Sequence, residues 1–200
     1  MPSIYNLKPA FQHLLRPLSN QLWKWGVTPN QVTISAVVLS LIVGILITCY
    51  PTAHVPMLLV PIVLLLRMIL NAIDGMLARE HHMQSKLGVF LNELGDVFSD
   101  TVIFLPFSLV PGISSSLIIG IVILSIISEM SGVIALQVGA KRRYDGPMGK
   151  SDRALIFGLL GLILGFGLKL GFLINLILAS LVILLLLTIV NRAKNALKGR

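Results

Sequence analysis

Apolar residues in this chain come in long blocks, separated by short polar stretches. Six such blocks lie near residues 31–50, 55–78, 87–110, 114–139, 154–170 and 172–190. A helix needs roughly 17–25 largely apolar residues to cross a bilayer. The pattern therefore predicts an all-α polytopic membrane protein with six transmembrane helices. Ahead of the first block, Phe11, Leu14, Leu15, Leu18 and Leu22 recur at helical spacing, and Lys8, Arg16 and Lys24 supply charge. Trp23 and Trp25 suit the head-group level. Residues 1–26 are thus expected to form an interfacial amphipathic helix, interrupted near Pro17. The expected organisation is one membrane domain over 1–200: the interfacial segment, a six-helix bundle over 31–190, and a basic tail over 191–200.

Composition agrees, with 56% hydrophobic and only 12% charged residues. The net charge of +8 would suit nucleic acid in a soluble protein, but no soluble basic domain exists to carry it. Anionic membrane lipids and phosphorylated substrates are the expected partners, and nucleic acid is not. With the amino terminus placed inside, fourteen of the sixteen cations fall on the cytoplasmic side; Lys169 falls opposite and Arg67 within a span. This positive-inside bias puts both termini in the cytoplasm. The expected location is a bacterial inner membrane. The single Cys49 allows no intramolecular disulfide. Gly158, Gly161, Gly165 and Gly167 give the fifth block a small-residue face. Packing within the chain is the preferred reading of that face, and a homodimer contact the other.

Charges within spans cost at least ~2.5–3.5 kcal/mol each, yet Arg67, Asp74, Glu93, Asp96, Asp100 and Glu129 lie there. Asn92, Asp96 and Asp100 follow an i, i+4, i+8 spacing, and Asn71 and Asp74 an i, i+3 spacing, so each set lines one helical face. The short 79–86 loop makes their helices antiparallel neighbours, with the polar ends meeting near the cytoplasmic boundary. Oxygen ligands from two helices suit a hard divalent cation, above all Mg²⁺. The competing reading is that these acids pair with Arg67, Arg79 and other cations to hold helices together.

The residues between the acids decide in favour of chemistry. Asn71-x2-Asp74-Gly75-x2-Ala78-Arg79-x8-Gly88-x3-Asn92-x3-Asp96 resembles the signature of the CDP-alcohol phosphotransferase (class-I phosphatidyltransferase) family, D-x2-D-G-x2-A-R-x8-G-x3-D-x3-D. Every spacing matches, with Asn71 and Asn92 standing at the first and third aspartate positions. Thr28-Pro29-Asn30-Gln31-Val32-Thr33 looks like the family's usual opening. The resemblance implies a membrane enzyme of phospholipid synthesis. It would move a phosphatidyl-type group from a CDP-linked lipid donor to an alcohol acceptor and release CMP. It further implies one or two Mg²⁺ or Mn²⁺ ions at Asn71, Asp74, Asn92 and Asp96, with Asp96 as the base. Gly75, Ala78, Arg79 and Gly88 would lie against substrate.

Two amides in place of carboxylates lower the charge of the four positions from at most −4 to −2, so a divergent subgroup is expected. A non-catalytic metal or lipid binder and a small ion transporter remain the alternatives, the latter because intramembrane acids often mark ion paths. In the fourth loop, Gly146-Pro147-Met148-Gly149-Lys150 is not a P-loop, since its glycine spacing is wrong and no strand precedes it. Lys150 and Arg153 are expected to meet a phosphorylated acceptor or anionic lipid. His81 and His82 are expected to be solvated.

Overall fold

The computed structural model describes residues 8–168 and 171–198, with side chains from Phe11 onward. Lys169, expected outside the membrane, and Arg200 lie outside the described residues. Among the described residues seven α-helices follow one another: α1 (Lys8–Lys24), α2 (Pro29–Cys49), α3 (His54–Glu80), α4 (Lys86–Phe104), α5 (Ser115–Gln137), α6 (Lys150–Gly165) and α7 (Phe172–Lys198). A 3₁₀ segment, Leu105–Leu109, continues from α4. No strand occurs among the described residues.

Four helices, α2, α3, α5 and α7, are long and apolar enough to span a bilayer. The other two expected spans do not reach that standard alone. α4 holds Lys86, Glu93, Asp96 and Asp100 in 19 residues, and Pro106 turns the rest of its apolar block into the 3₁₀ segment. α6 has 16 residues, or about 24 Å at 1.5 Å per residue. It ends before Gly167, whose φ of +73° lies in the left-handed region that closes helices.

The contacts divide the chain into two compact units. One takes in the chain to Leu41 and Val63–Ser99, the other Ile42–Ile62 and the chain from Asp100.

In the first unit, α1 is one helix that carries Pro17 inside it, so the break expected there does not occur. Proline removes one backbone donor, but α1 is held on both sides of it. Leu15 and Ser19 are buried, and Leu15 joins Val32, Ile73, Met76 and Leu77 in a core flanked by Phe11 and Leu22. Arg16 forms a two-pronged ion pair with Glu80 at 3.1 and 3.3 Å. Trp23 stacks on His81, with centroids 4.5 Å apart and planes 11° from parallel. His81 is therefore packed rather than solvated, while His82 is exposed. The apolar stripe of α1 serves two environments: Phe11, Leu15 and Leu22 face the core, and Leu14 and Leu18 remain exposed.

The second unit uses small residues for close helix approach. A Cβ on Gly44 of α2 would collide with the Val102 carbonyl oxygen of α4. Gly161 and Gly165 of α6 meet Met57, Val60, Pro61 and Leu58 at the start of α3. The small-residue face of the fifth block is thus engaged within the chain. Phe157 stacks on Phe104 at 4.0 Å and meets Phe107 edge-on at 5.2 Å. Buried Ser125 and Thr188 satisfy their hydroxyls on carbonyls one turn back.

Candidate active site

Three helices of the first unit build the site. Thr28 caps α2: its Oγ1 accepts from the Gln31 amide at 3.3 Å, while Gln31 Oε1 accepts from the Thr28 amide at 2.9 Å. This reciprocal box, with Pro29 opening the helix, fixes the first turn of α2. One turn on, Thr33 is buried and donates its hydroxyl to Oδ2 of Asp74 on α3 at 2.8 Å. The same hydroxyl lies 3.1 Å from the Pro29 carbonyl.

α3 and α4 contribute the four motif positions, and these cross-pair. Asn71 of α3 donates its amide to Oδ1 of Asp96 on α4 at 2.9 Å. Asn92 of α4 donates to Oδ2 of Asp74 on α3 at 3.3 Å. Facing a carboxylate, an amide can present only its NH₂ end. Each helix thus offers one amide and one carboxylate to the other. Two carboxylates facing each other at 4 Å would instead repel by about 4 kcal/mol at an effective dielectric of 20. Asp74 is 3% exposed, so its charge needs these donors.

The glycines and the arginine of the motif, with Gly95, make close contacts of their own. The Arg79 guanidinium folds back over Gly75, where a Cβ would lie 3.0 Å from Nη2. On Gly88 a Cβ would come within 2.9 Å of Asn30 Oδ1 and 3.0 Å of Ser85 Oγ. Gly95 lets α4 close on Val37 and Thr33 of α2. Ala78 is half-buried on α3. The expected cluster of Asn71, Asp74, Asn92 and Asp96 is therefore brought together, beside a glycine–arginine edge at Gly75 and Arg79.

Asp100 and Glu129, grouped with these acids on sequence grounds, belong to a different set in the second unit. Arg153 is 1% exposed, and its Nη2 reaches Asp100 Oδ2 and Glu129 Oε1, each at 3.1 Å. Arg142 and Arg192 also approach Glu129, at 3.6 Å each. Pairing with cations is what holds these two acids. Arg192, read from sequence only as part of a basic tail, is 1% exposed and donates to the Asp145 carbonyl at 3.2 Å. The signal that could have found it is its i+4 register from buried Thr188 on α7. Lys150 opens α6 and is partly exposed, just after Gly149, whose amide donates to Asp152 at 2.8 Å.

Hard oxygen donors from two facing helices fit a divalent ion. Among the described residues, no three His, Cys, Asp or Glu side chains gather around one point. An ion here would use two carboxylates completed by amide carbonyls or substrate phosphate, which is common practice for Mg²⁺.

The sequence from residue 26 to 197 matches the model of the CDP-alcohol phosphatidyltransferase family, and the chain belongs to that family. Its relatives include inner membrane protein YnbA of Escherichia coli (strain K12), 45% identical over 195 residues, covering 98% of this chain and 96% of that protein. This is an integral membrane protein. The fold is shared with the phosphatidylinositol phosphate synthase PgsA1 of Mycobacterium tuberculosis at 17% identity. The form of that enzyme with CDP-DAG bound gives a TM-score of 0.74, over 90% of this chain and 92% of that one. The form in complex with manganese and citrate gives 0.76, over 92% and 88%.

Proposed function

We propose that this protein transfers a phosphatidyl-type group from a CDP-linked lipid donor to an alcohol, releasing CMP. The observation that carries the reading is the convergence of Asn71, Asp74, Asn92 and Asp96 across α3 and α4, beside Arg79. In this reading Asp96 accepts the proton of the acceptor hydroxyl, whose oxygen then bonds to the β-phosphorus as the bond to CMP breaks. A divalent ion bound at the motif would neutralise donor phosphate and the departing CMP. Asp74 and Asp96 would hold it, completed by the amide oxygens of Asn71 and Asn92 or by substrate phosphate. Thr33 and Asn92 orient Asp74, and Asn71 orients Asp96. Arg79 balances donor phosphate charge over Gly75, where the missing side chain leaves room. Lys150, at the head of α6, serves an anionic acceptor or lipid. Arg153 contributes through its fixed pairing with Asp100 and Glu129.

The same reading takes α4, with its 3₁₀ extension, and α6 as the two further spans, and α1 as lying in the head-group layer. The charge distribution then leaves both termini in the cytoplasm. PgsA1, whose fold this chain shares, is known with CDP-DAG and with manganese, which supports a lipid-nucleotide donor and a divalent ion. The test is CMP release by the purified full-length protein from CDP-diacylglycerol, against a panel of alcohols with and without Mg²⁺ or Mn²⁺. Metal-dependent release that Asp96→Asn abolishes supports the proposal. No release with any donor–acceptor pair overturns it in favour of a non-catalytic binder.

A further inference from the structure

The geometry points to Asn71 and Asn92 as built-in substitutes for one divalent ion, leaving a site that takes a single ion where four carboxylates would call for two. The inference rests on the proposed metal-dependent reading of the motif and specifies its ion count. Three observations carry it.

The first is the pairing itself. The amide of Asn71 bonds to Asp96 at 2.9 Å, and that of Asn92 to Asp74 at 3.3 Å. Each contact joins α3 to α4, and each sets a partial positive charge against a full negative one. That is the electrostatic task of a bridging cation, performed here by the side chains themselves.

The second is where the substitutions fall. The structure pairs the first motif position with the fourth, and the second with the third. Asn71 and Asn92 are the first and third, so each contact receives one amide. Had both amides fallen in one pair, the other would have set two carboxylates face to face, and only a cation could have held it closed.

The third is charge. Aspartates at all four positions would carry −4, matching two divalent ions; the two present carry −2, matching one. Thr33 adds a further donor to Asp74 at 2.8 Å from α2, so side chains of α2 and α4 both hold this carboxylate of α3. A site so fastened is assembled before metal arrives.

The inference separates from the function when ions are counted instead of turnover. Full-length protein in detergent is titrated with Mn²⁺ and bound metal is read by electron paramagnetic resonance. Thermal unfolding is followed in parallel with excess chelator and with excess Mg²⁺. The expected result is one Mn²⁺ per chain, with an unfolding temperature that changes little on chelation. The variant combining Asn71→Asp with Asn92→Asp is expected to bind two Mn²⁺ and to depend on metal for stability. Should that variant not fold, Asn71→Asp alone is expected to show the same chelator sensitivity in weaker form. Two ions on the parent, or none, overturn the inference, as does a parent as chelator-sensitive as the aspartate variants. A parent that binds one ion and releases no CMP leaves the ion count standing and overturns the catalytic reading alone.

Discussion

The hydroxyl of Thr33 and Oδ2 of Asp74 lie 2.8 Å apart, joining the first turns of α2 to the motif helix α3. Thr33 falls outside the x-spaced aspartate motif, yet it sets which way the Asp74 carboxylate faces. Thr33→Val keeps the shape and removes the donor. Losing a partner of a buried carboxylate costs about 1–3 kcal/mol, and losing a group that orients a metal ligand costs roughly 10–100-fold in affinity. Thr33→Ser is expected to restore most of both. Mn²⁺ titration and thermal unfolding of the two variants check this, and equal loss in Val and Ser would show that the methyl matters instead.

Asp96→Asn is expected to lower CMP release by about 10²–10⁴-fold, the usual worth of general-base assistance. An amide cannot take up the acceptor proton, although it can still face Asn71. Circular dichroism and gel filtration should match the parent. Turnover within a few-fold of the parent would remove Asp96 from the role of base.

A different loss is expected at Glu129. It is approached by Arg142, Arg153 and Arg192 and shares Arg153 with Asp100. Glu129→Gln leaves buried cations short of charge, and breaking one side of a buried ion pair costs about 3–5 kcal/mol. Pairing Glu129→Gln with Arg153→Met should recover part of that loss. Denaturation midpoints of the single and double variants measure the coupling, and strict additivity would mean that the two do not interact.

Topology gives a fourth prediction. After replacement of Cys49, a cysteine at position 150 in intact cells should resist membrane-impermeant thiol reagents until the membrane is opened. Labelling from outside would reverse the orientation that the cation count implies.

Helices α2, α3, α5 and α7 were legible because a span must be apolar over a fixed length, and that pattern survives without knowledge of any partner. The motif was legible because its residues and spacing resemble a family signature, and helical spacing sets each of them on one face. Pairings were harder to see. Asp100 continues the i+4 series of Asn92 and Asp96, so sequence grouped the three, whereas Asp100 bonds to Arg153, 53 residues away. Spacing along one helix cannot reveal which neighbour supplies the counter-charge. Pro17 misled for a related reason: propensity predicts a break, but contacts on both sides of the proline hold α1 together. The stack of Trp23 on His81 left no periodic trace at all, since it joins a helix end to a loop.

Core and motif residues are interleaved on α3. Ile73, Met76 and Leu77 are locked against Leu15 and Val32, while Asp74 and Gly75 fall between them and Asn71 lies two positions before Ile73. Each residue advances the helix by about 100°, so a slip of one position would swing Asp74 out of line and bring Ile73 round in its place. The bulky contacts with α1 and α2 forbid that slip. The short amphipathic helix at the front of the chain therefore acts as an index pin: by gripping one side of α3, it sets the angle at which the carboxylate side is presented.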